Sequence, residues 1–137
     1  MNLETGLNEP TYIKTLVGKN AKALDYPAGY RGSFYEGTWY IIEANGTRCG
    51  AIGFTKYRGV HYLQVVLEEE FRGAGLFQEA FFLLLDLHPK IKSFRLTTLK
   101  ENYRMQRAAH KAGFEFLGTI ASLNNTGNEM YLYEYKK

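Results

Sequence analysis

The fold of this chain is decided by Leu63 to Ala80, LQVVLEEEFRGAGLFQEA. The stretch divides into an apolar run ending at Leu67, a turn opening with Arg72-Gly73-Ala74-Gly75, and an apolar helical pattern from Leu76. A strand that enters a helix through a glycine turn leaves the first backbone N–H groups of the helix without intrahelical partners. Those donors, with the positive end of the helix dipole, form an anion site, and phosphate is the ligand to expect there.

Working outward, Val60 to Leu67 is mostly apolar and reads as a central strand. Leu76 to Leu87 reads as a helix that only Gln78, Glu79 and Asp86 make polar, so both sides of it should be covered. His88-Pro89 ends it. Upstream, Trp39 to Ile42 and Cys49 to Phe54 flank Asn45-Gly46, a strong hairpin signal because both residues tolerate positive φ. Downstream, Ser93 to Leu99 reads as a strand. Asn102 then caps a helix running to about Ala112, with Gly113 at its C-terminal cap. Phe114 to Ser122 and Glu129 to Tyr135 read as a final hairpin across Asn124-Asn125-Thr126-Gly127. Before Thr38 the pattern is weak. Tyr12 to Val17 reads as a strand, Lys19 to Leu24 as a short helix or loop, and Tyr26 to Gly32 as a glycine- and proline-spaced aromatic loop. The order predicts a mixed α/β sheet in one domain, residues 1–137.

Composition narrows the function classes. The chain of 137 residues carries a net charge of +3, which suits a protein that meets anions but falls short of a nucleic-acid signature. Aromatics are abundant, with eleven Tyr, nine Phe and one Trp. No run reaches the roughly 18 apolar residues that span a membrane, and no signal-peptide pattern opens the chain. Cys49 is the only cysteine, so neither an intrachain disulfide nor a cysteine-built metal cage is possible, and no metal is expected. A reducing cytoplasm is the expected setting. The sequons at Asn45 and Asn124 then read as turns.

Three nucleotide motifs fail at the glycine turn. A dinucleotide fingerprint needs a glycine where Gln78 stands, and a P-loop needs Gly-Lys-Ser/Thr. An RNA-recognition strand wants aromatics at Ala74 and Leu76 and would continue as a strand. The order and spacing resemble instead the GCN5-related N-acetyltransferase (GNAT) family. Its Arg/Gln-x-x-Gly-x-Gly/Ala motif reads here Arg72-Gly73-Ala74-Gly75-Leu76-Phe77, with Phe77 in place of the small residue. A second block, Asn followed about ten residues later by Gly-Phe, is matched by Asn102 and Gly113-Phe114. The resemblance covers roughly Trp39 to the C-terminus. It implies a GNAT-like, mostly antiparallel mixed sheet flanked by helices, and acetyl-CoA as co-substrate. Backbone N–H groups of Arg72, Gly73, Ala74, Gly75, Leu76 and Phe77 would cradle the pyrophosphate. Leu67 would pair with the pantetheine arm like an added strand, and Asn102 would contact the cofactor side.

Acetyl transfer to an amine needs a base for the amine and a proton for the departing thiolate. His61, on the strand leading to the turn, is the candidate base; the other reading is a histidine packed beside the sheet. Glu68, Glu69 and Glu70 read as solvated. Where the family often has a proton-donating Tyr, seven residues after the Asn, this chain has Ala109, which leaves Tyr103 and His110 nearby and Tyr103 as the candidate. The resemblance puts the acceptor against Tyr26, Tyr30, Phe34, Tyr35 and the turn near Asn124 to Asn128. It implies an amine on a small molecule, a protein or an RNA-linked group, no membrane, and a possible homodimer through the last hairpin. Lys100, Arg104, Arg107 and Lys111 form a basic stripe at helical spacing. The alternatives are a catalytically degenerate acyl-CoA-binding protein, or a nucleic-acid- or protein-binding module using that stripe and the aromatic loop.

Overall fold

The computed structural model describes residues 1–20, 37–123 and 127–137. The described residues form seven strands, β1 (Asn2–Thr5), β2 (Thr38–Ala44), β3 (Thr47–Tyr57), β4 (Val60–Leu67), β5 (Ser93–Leu99), β6 (Glu115–Ala121) and β7 (Glu129–Lys136), and three α-helices, α1 (Pro10–Lys19), α2 (Leu76–Leu87) and α3 (Tyr103–Lys111). The strands make one sheet in the order β1-β2-β3-β4-β5-β7-β6. Every neighbouring pair is antiparallel except β4 and β5, which run parallel.

Local chemistry accounts for most of these elements. The turn between β2 and β3 is Asn45-Gly46 with φ of 53° and 77°, so both central residues are left-handed, as a two-residue hairpin turn requires. The turn between β3 and β4 is built the same way from Arg58 (φ 51°) and Gly59 (φ 80°). Gly113, with φ 99°, follows the C-terminal cap of α3.

Tyr12 to Val17 belongs to helix α1, which corrects the strand expected there. Pro10 begins the helix, and Ile13, Leu16 and Val17, spaced at three and four residues, turn one apolar face to the sheet. The short strand β1 lay outside the sequence reading; it is an edge strand held by β2. Tyr26, Tyr30, Phe34 and Tyr35, and the turn residues Asn124 to Thr126, lie outside the described residues.

The two faces of the sheet bury different layers. On one, Ile13, Leu16 and Val17 of α1 pack on Trp39, Ile41, Ala51 and Val66. On the other, Phe77, Ala80, Phe81 and Leu84 of α2 and Ala109 of α3 pack on Ile42, Ile52, Phe54, Leu63, Phe94 and Leu96. Phe81 is its aromatic centre, edge-on to Phe94 (5.7 Å) and Tyr135 (5.1 Å) and tilted against Phe114 (4.9 Å). Strand β4 contributes Leu63 to one layer and Val66 to the other, which is what a central strand must do.

Gly50 holds the far end of β4 in place. It stands opposite Leu67, and a Cβ there would lie 2.2 Å from the Val66 carbonyl oxygen and 2.8 Å from the Leu67 Cα. Both are backbone atoms, so neither can rotate away. Gly50→Ala is therefore expected to destabilise the protein by about 1–3 kcal/mol, as overpacking does. Thermal unfolding would show a clear drop in Tm, and an unchanged Tm would mean that β3 and β4 are not held this closely.

Candidate active site

The site originates in a failure of two strands to pair. β4 and β5 share one registered pair, Tyr62 with Arg95. Beyond it they diverge, while β4 stays paired to β3 as far as Leu67. One side of the β4 backbone therefore faces an opening instead of a strand, and buried backbone groups need partners. The opening is a cleft of about 870 Å³ between Leu63 to Leu67 of β4 and Leu96 to Thr98 of β5.

The glycine turn closes one end. Gly73 and Gly75 have φ of 80° and 78°, a conformation that costs other residues strain. Gly75 is also the N-cap of α2, and no side chain caps the helix there. The N-terminal donors of α2 are thus left to a ligand or water. A Cβ on Gly75 would meet nothing within 4 Å, so the turn fronts open space.

Charge agrees with geometry. Among the described residues the lining includes Arg72, Arg104, Arg107 and Lys111 against the single acid Glu101, and the Arg104 guanidinium lies 3.8 Å from where a Cβ on Gly73 would stand. The basic stripe of α3 therefore borders the cleft, except for Lys100, which is ion-paired to Glu129. Arg72 braces the turn, donating from Nε to the Leu67 carbonyl at 3.1 Å and from Nη2 to Asn20 Oδ1 at 3.0 Å. Asn102 lines the cleft and caps α3, its Oδ1 accepting from the Met105 N–H at 3.2 Å. That bond leaves the side-chain NH₂ as a donor.

The candidate residues fall into two groups. Leu67, Arg72, Gly73, Gly75, Leu76, Phe77, Asn102 and Tyr103 all border this one cleft. Tyr103, 64% exposed, opens α3 and is the only tyrosine lining the cleft among the described residues. Ala109 points elsewhere: it is fully buried in the core beneath α3. His61 is not among the lining residues. It precedes the Tyr62–Arg95 pair, and its ring packs against Phe54 (5.5 Å) and Phe94 (6.0 Å). It stands six positions before Leu67, roughly 20 Å along β4.

Among the lining residues that escaped the sequence reading are two buried polar ones. Gln64, 6% exposed, is the only polar side chain between Leu63 and Leu67, a signal that was present in the apolar run. Thr98 is the other, concealed by the ordinary alternation of a strand. Among the acids near the turn, Glu68 has a definite partner. It accepts from the Tyr12 hydroxyl at 3.4 Å and ties α1 to the end of β4. Burial and the adjacent Glu68 carboxylate push the Tyr12 phenol up to about 12, so Tyr12 stays protonated.

With this geometry in hand, comparison with known proteins is specific. The acetyltransferase (GNAT) domain family matches residues 14–115, most of the chain. The protein belongs to the GNAT acetyltransferase family. Among solved structures, an aminoglycoside acetyltransferase in complex with coenzyme A superposes with a TM-score of 0.64 at 21% identity, covering 74% of this chain and 66% of that one. The chain thus spans just under two thirds of that enzyme's length. A microcin C7 self-immunity acetyltransferase in complex with acetyl-CoA and AMP matches with a TM-score of 0.65, 16% identity and coverage of 96% and 71%. A probable GNAT-family acetyltransferase from Chromobacterium violaceum gives 0.68, 19% and coverage of 98% and 81%. Among curated proteins no sequence match is significant. These likenesses bear out the single-domain GNAT-like α/β fold.

The histidines yield a pH prediction. Burial, then Lys56 and His88, hold the His61 pKa below its ordinary 6.5; burial and Lys137 do the same for His88, which shares a 2.8 Å hydrogen bond with the Tyr40 hydroxyl. A histidine whose pKa is depressed by folding contributes stability that is complete above the unfolded value and lost as pH falls below it. Tm should therefore decline as pH is lowered from 7 through 6.5 toward 5, and less steeply in His61→Phe. Equal slopes for the two proteins would show that His61 does not titrate with unfolding.

Proposed function

We propose that this protein binds acetyl-CoA in the β4–β5 cleft and transfers its acetyl group to a primary amine. The observation that carries the reading is the divergence of β4 from β5 directly above a left-handed glycine turn. Unpaired strand backbone, uncapped helix donors and a cationic rim meet there in one opening. Each fits a part of the ligand: N–H groups and cations suit phosphates, and an unpaired strand edge suits an amide-bearing arm. Bound acetyl-CoA would supply an activated acetyl thioester.

In this reading the acceptor amine attacks directly in a ternary complex. Arg72, Arg104, Arg107 and Lys111 hold the phosphate end, and the turn from Arg72 to Phe77 offers its N–H groups. Leu67 and its neighbours align the arm, and a backbone N–H near Leu67 polarises the thioester carbonyl. The Tyr103 hydroxyl, in the cleft lining, donates the proton to the leaving thiolate. His61 stands outside the lining, so it would take the amine proton only through intervening water; its aromatic surroundings support the packing role as well. The acceptor is an amine on a small molecule, a protein or an RNA-linked group, in keeping with relatives that act on an aminoglycoside or, by description, on ribosomal protein L7/L12. A cytoplasmic setting belongs to the same reading.

Calorimetric titration with acetyl-CoA, on the wild type and on Gly75→Trp, tests this. The indole would project into the space in front of the turn, so the wild type is expected to bind and the variant to lose binding while still folded. No wild-type binding at millimolar ligand would sink the proposal. Thiol release with a panel of amines then separates a working transferase from a protein that only binds acyl-CoA.

A further inference from the structure

The turn between β3 and β4 carries a residue that its backbone does not favour. Arg58 has φ 51°, a left-handed conformation that Asn and Gly adopt far more readily. At the corresponding place in the β2–β3 turn this chain uses Asn45. A residue kept in a conformation that costs it strain is a candidate for function. The Arg58 guanidinium lies over the Tyr57 ring, 5.2 Å from its centroid, and Arg58 is exposed. One face of a planar cation therefore rests on an aromatic ring, and the other is available. A Cβ on Gly59 would meet nothing within 4 Å, so the turn stands clear of the rest of the molecule.

Other cations gather beside it. The parallel pair of Tyr62 with Arg95 sets the start of β4 next to the start of β5, where the His61 ring meets Phe94 at 6.0 Å. Ser93, the first residue of β5, pairs in turn with Lys136 of β7. Lys56, Arg58, Lys90, Lys92 and Lys136 thus crowd one end of the sheet, and all are exposed. Among the described residues, Lys56, Arg58, Lys90 and Lys92 form no salt bridge. The acids near them, Asp86, Glu115 and Glu134, are fewer, and Arg95 at 2.8 Å and Lys136 at 3.5 Å already hold Glu134. A polyanion responds to this local field and not to the net charge of +3. The surface is separate from the cleft. None of these residues lines it, and Val60 lies seven positions before Leu67, roughly 23 Å along β4.

From this arrangement we infer that the β3–β4 turn and the cations beside it form a binding surface for single-stranded nucleic acid. An unstacked base lies on the Arg58 guanidinium, which Tyr57 backs from beneath, and Lys56 and its neighbours take the phosphates. The planar platform decides between polyanions. An acidic peptide or an anionic lipid surface would use the charge but has no ring to lay on the guanidinium. A duplex keeps the faces of its bases stacked away, whereas a single strand offers both base faces and a repeating phosphate. The surface works independently of the acetyl-CoA reading.

Fluorescence anisotropy with a labelled oligoribonucleotide of about ten nucleotides, a length that suits such a platform, tests this. Phosphatidylserine vesicles and polyglutamate serve as the competing polyanions. The wild type is expected to bind the oligonucleotide with a Kd of roughly 1–100 µM, weakening steadily as salt rises. Arg58→Asn should weaken binding roughly tenfold, the lower part of the range for losing a stacking contact. It should also reduce the slope of log K against log salt by about 0.7, the share of one phosphate contact. Tm should hold or rise in this variant, because Asn suits the left-handed turn. Arg58→Lys should keep the slope but lose affinity, since an ammonium has no plane to offer. Lys56→Gln should lower the slope by a similar step. Unchanged affinity in Arg58→Asn, or no oligonucleotide binding by the wild type at low salt, would overturn the inference. Loss of binding in Arg107→Gln but not in Arg58→Asn would also overturn it, placing the nucleic acid on α3. So would a fall in Tm of Arg58→Asn that matches its loss of affinity, which would mark a structural role. Vesicles or polyglutamate bound as tightly as the oligonucleotide would show that charge alone acts, and that too would overturn it.

Discussion

The structure depends on where β4 stops pairing with β5. Backbone amides and carbonyls taken out of water must be satisfied, and a strand edge inside a sheet normally satisfies them with its neighbour. Here that neighbour leaves after a single pair, Tyr62 with Arg95. What keeps β4 from following is its grip elsewhere. Leu63 is fixed under α2, Val66 under α1, and Gly50 lets β3 lie against Leu67 at a distance no side chain would permit. The edge stays extended and open because three other surfaces hold it.

The rest of the site is arranged around that open edge. Arg72 reaches back to the Leu67 carbonyl and across to Asn20, so the turn, the strand end and the C-terminus of α1 form one braced corner. Cations from α3 face the corner from the opposite side. Their individual Coulomb energies at an exposed surface are small. Gathered around an uncapped helix terminus, they would act together on a polyanion bound there, and their effects would accumulate.

What the sequence revealed depended on whether the signal was local. The Asn45-Gly46 turn was legible because both residue types advertise positive φ. Arg58-Gly59, with the same geometry, was not, because nothing about Arg announces it. Tyr12 to Val17 read as β because Thr11, Tyr12, Ile13 and Val17 favour strands. Spacing decided otherwise, since Ile13, Leu16 and Val17 form a helical face against Trp39 and Ile41. In the site, the glycine turn and the Asn102 cap were visible as motifs. Gln64 left a local sign, a lone polar residue in the apolar run of β4, but Thr98 left none, since its place in the lining comes from β5 leaving β4, a tertiary event. His61 shows the same limit. Position along β4 suggested proximity to chemistry, but it lies before the branching point, among Phe54 and Phe94.

The two kinds of connection in this sheet differ in chain entropy. β2, β3 and β4 are joined by two-residue turns, so each strand meets its partner almost as soon as the chain doubles back. The walls of the cleft are joined only through the crossover of residues 68–92. Closing that longer loop costs roughly 2 kcal/mol more than closing a tight turn, and a single strand pair offsets little of it. The packing of α2 must supply the difference. Phe77, Ala80, Phe81 and Leu84 are therefore more than the filling of a core: they are what keeps the two walls in one molecule at a fixed separation.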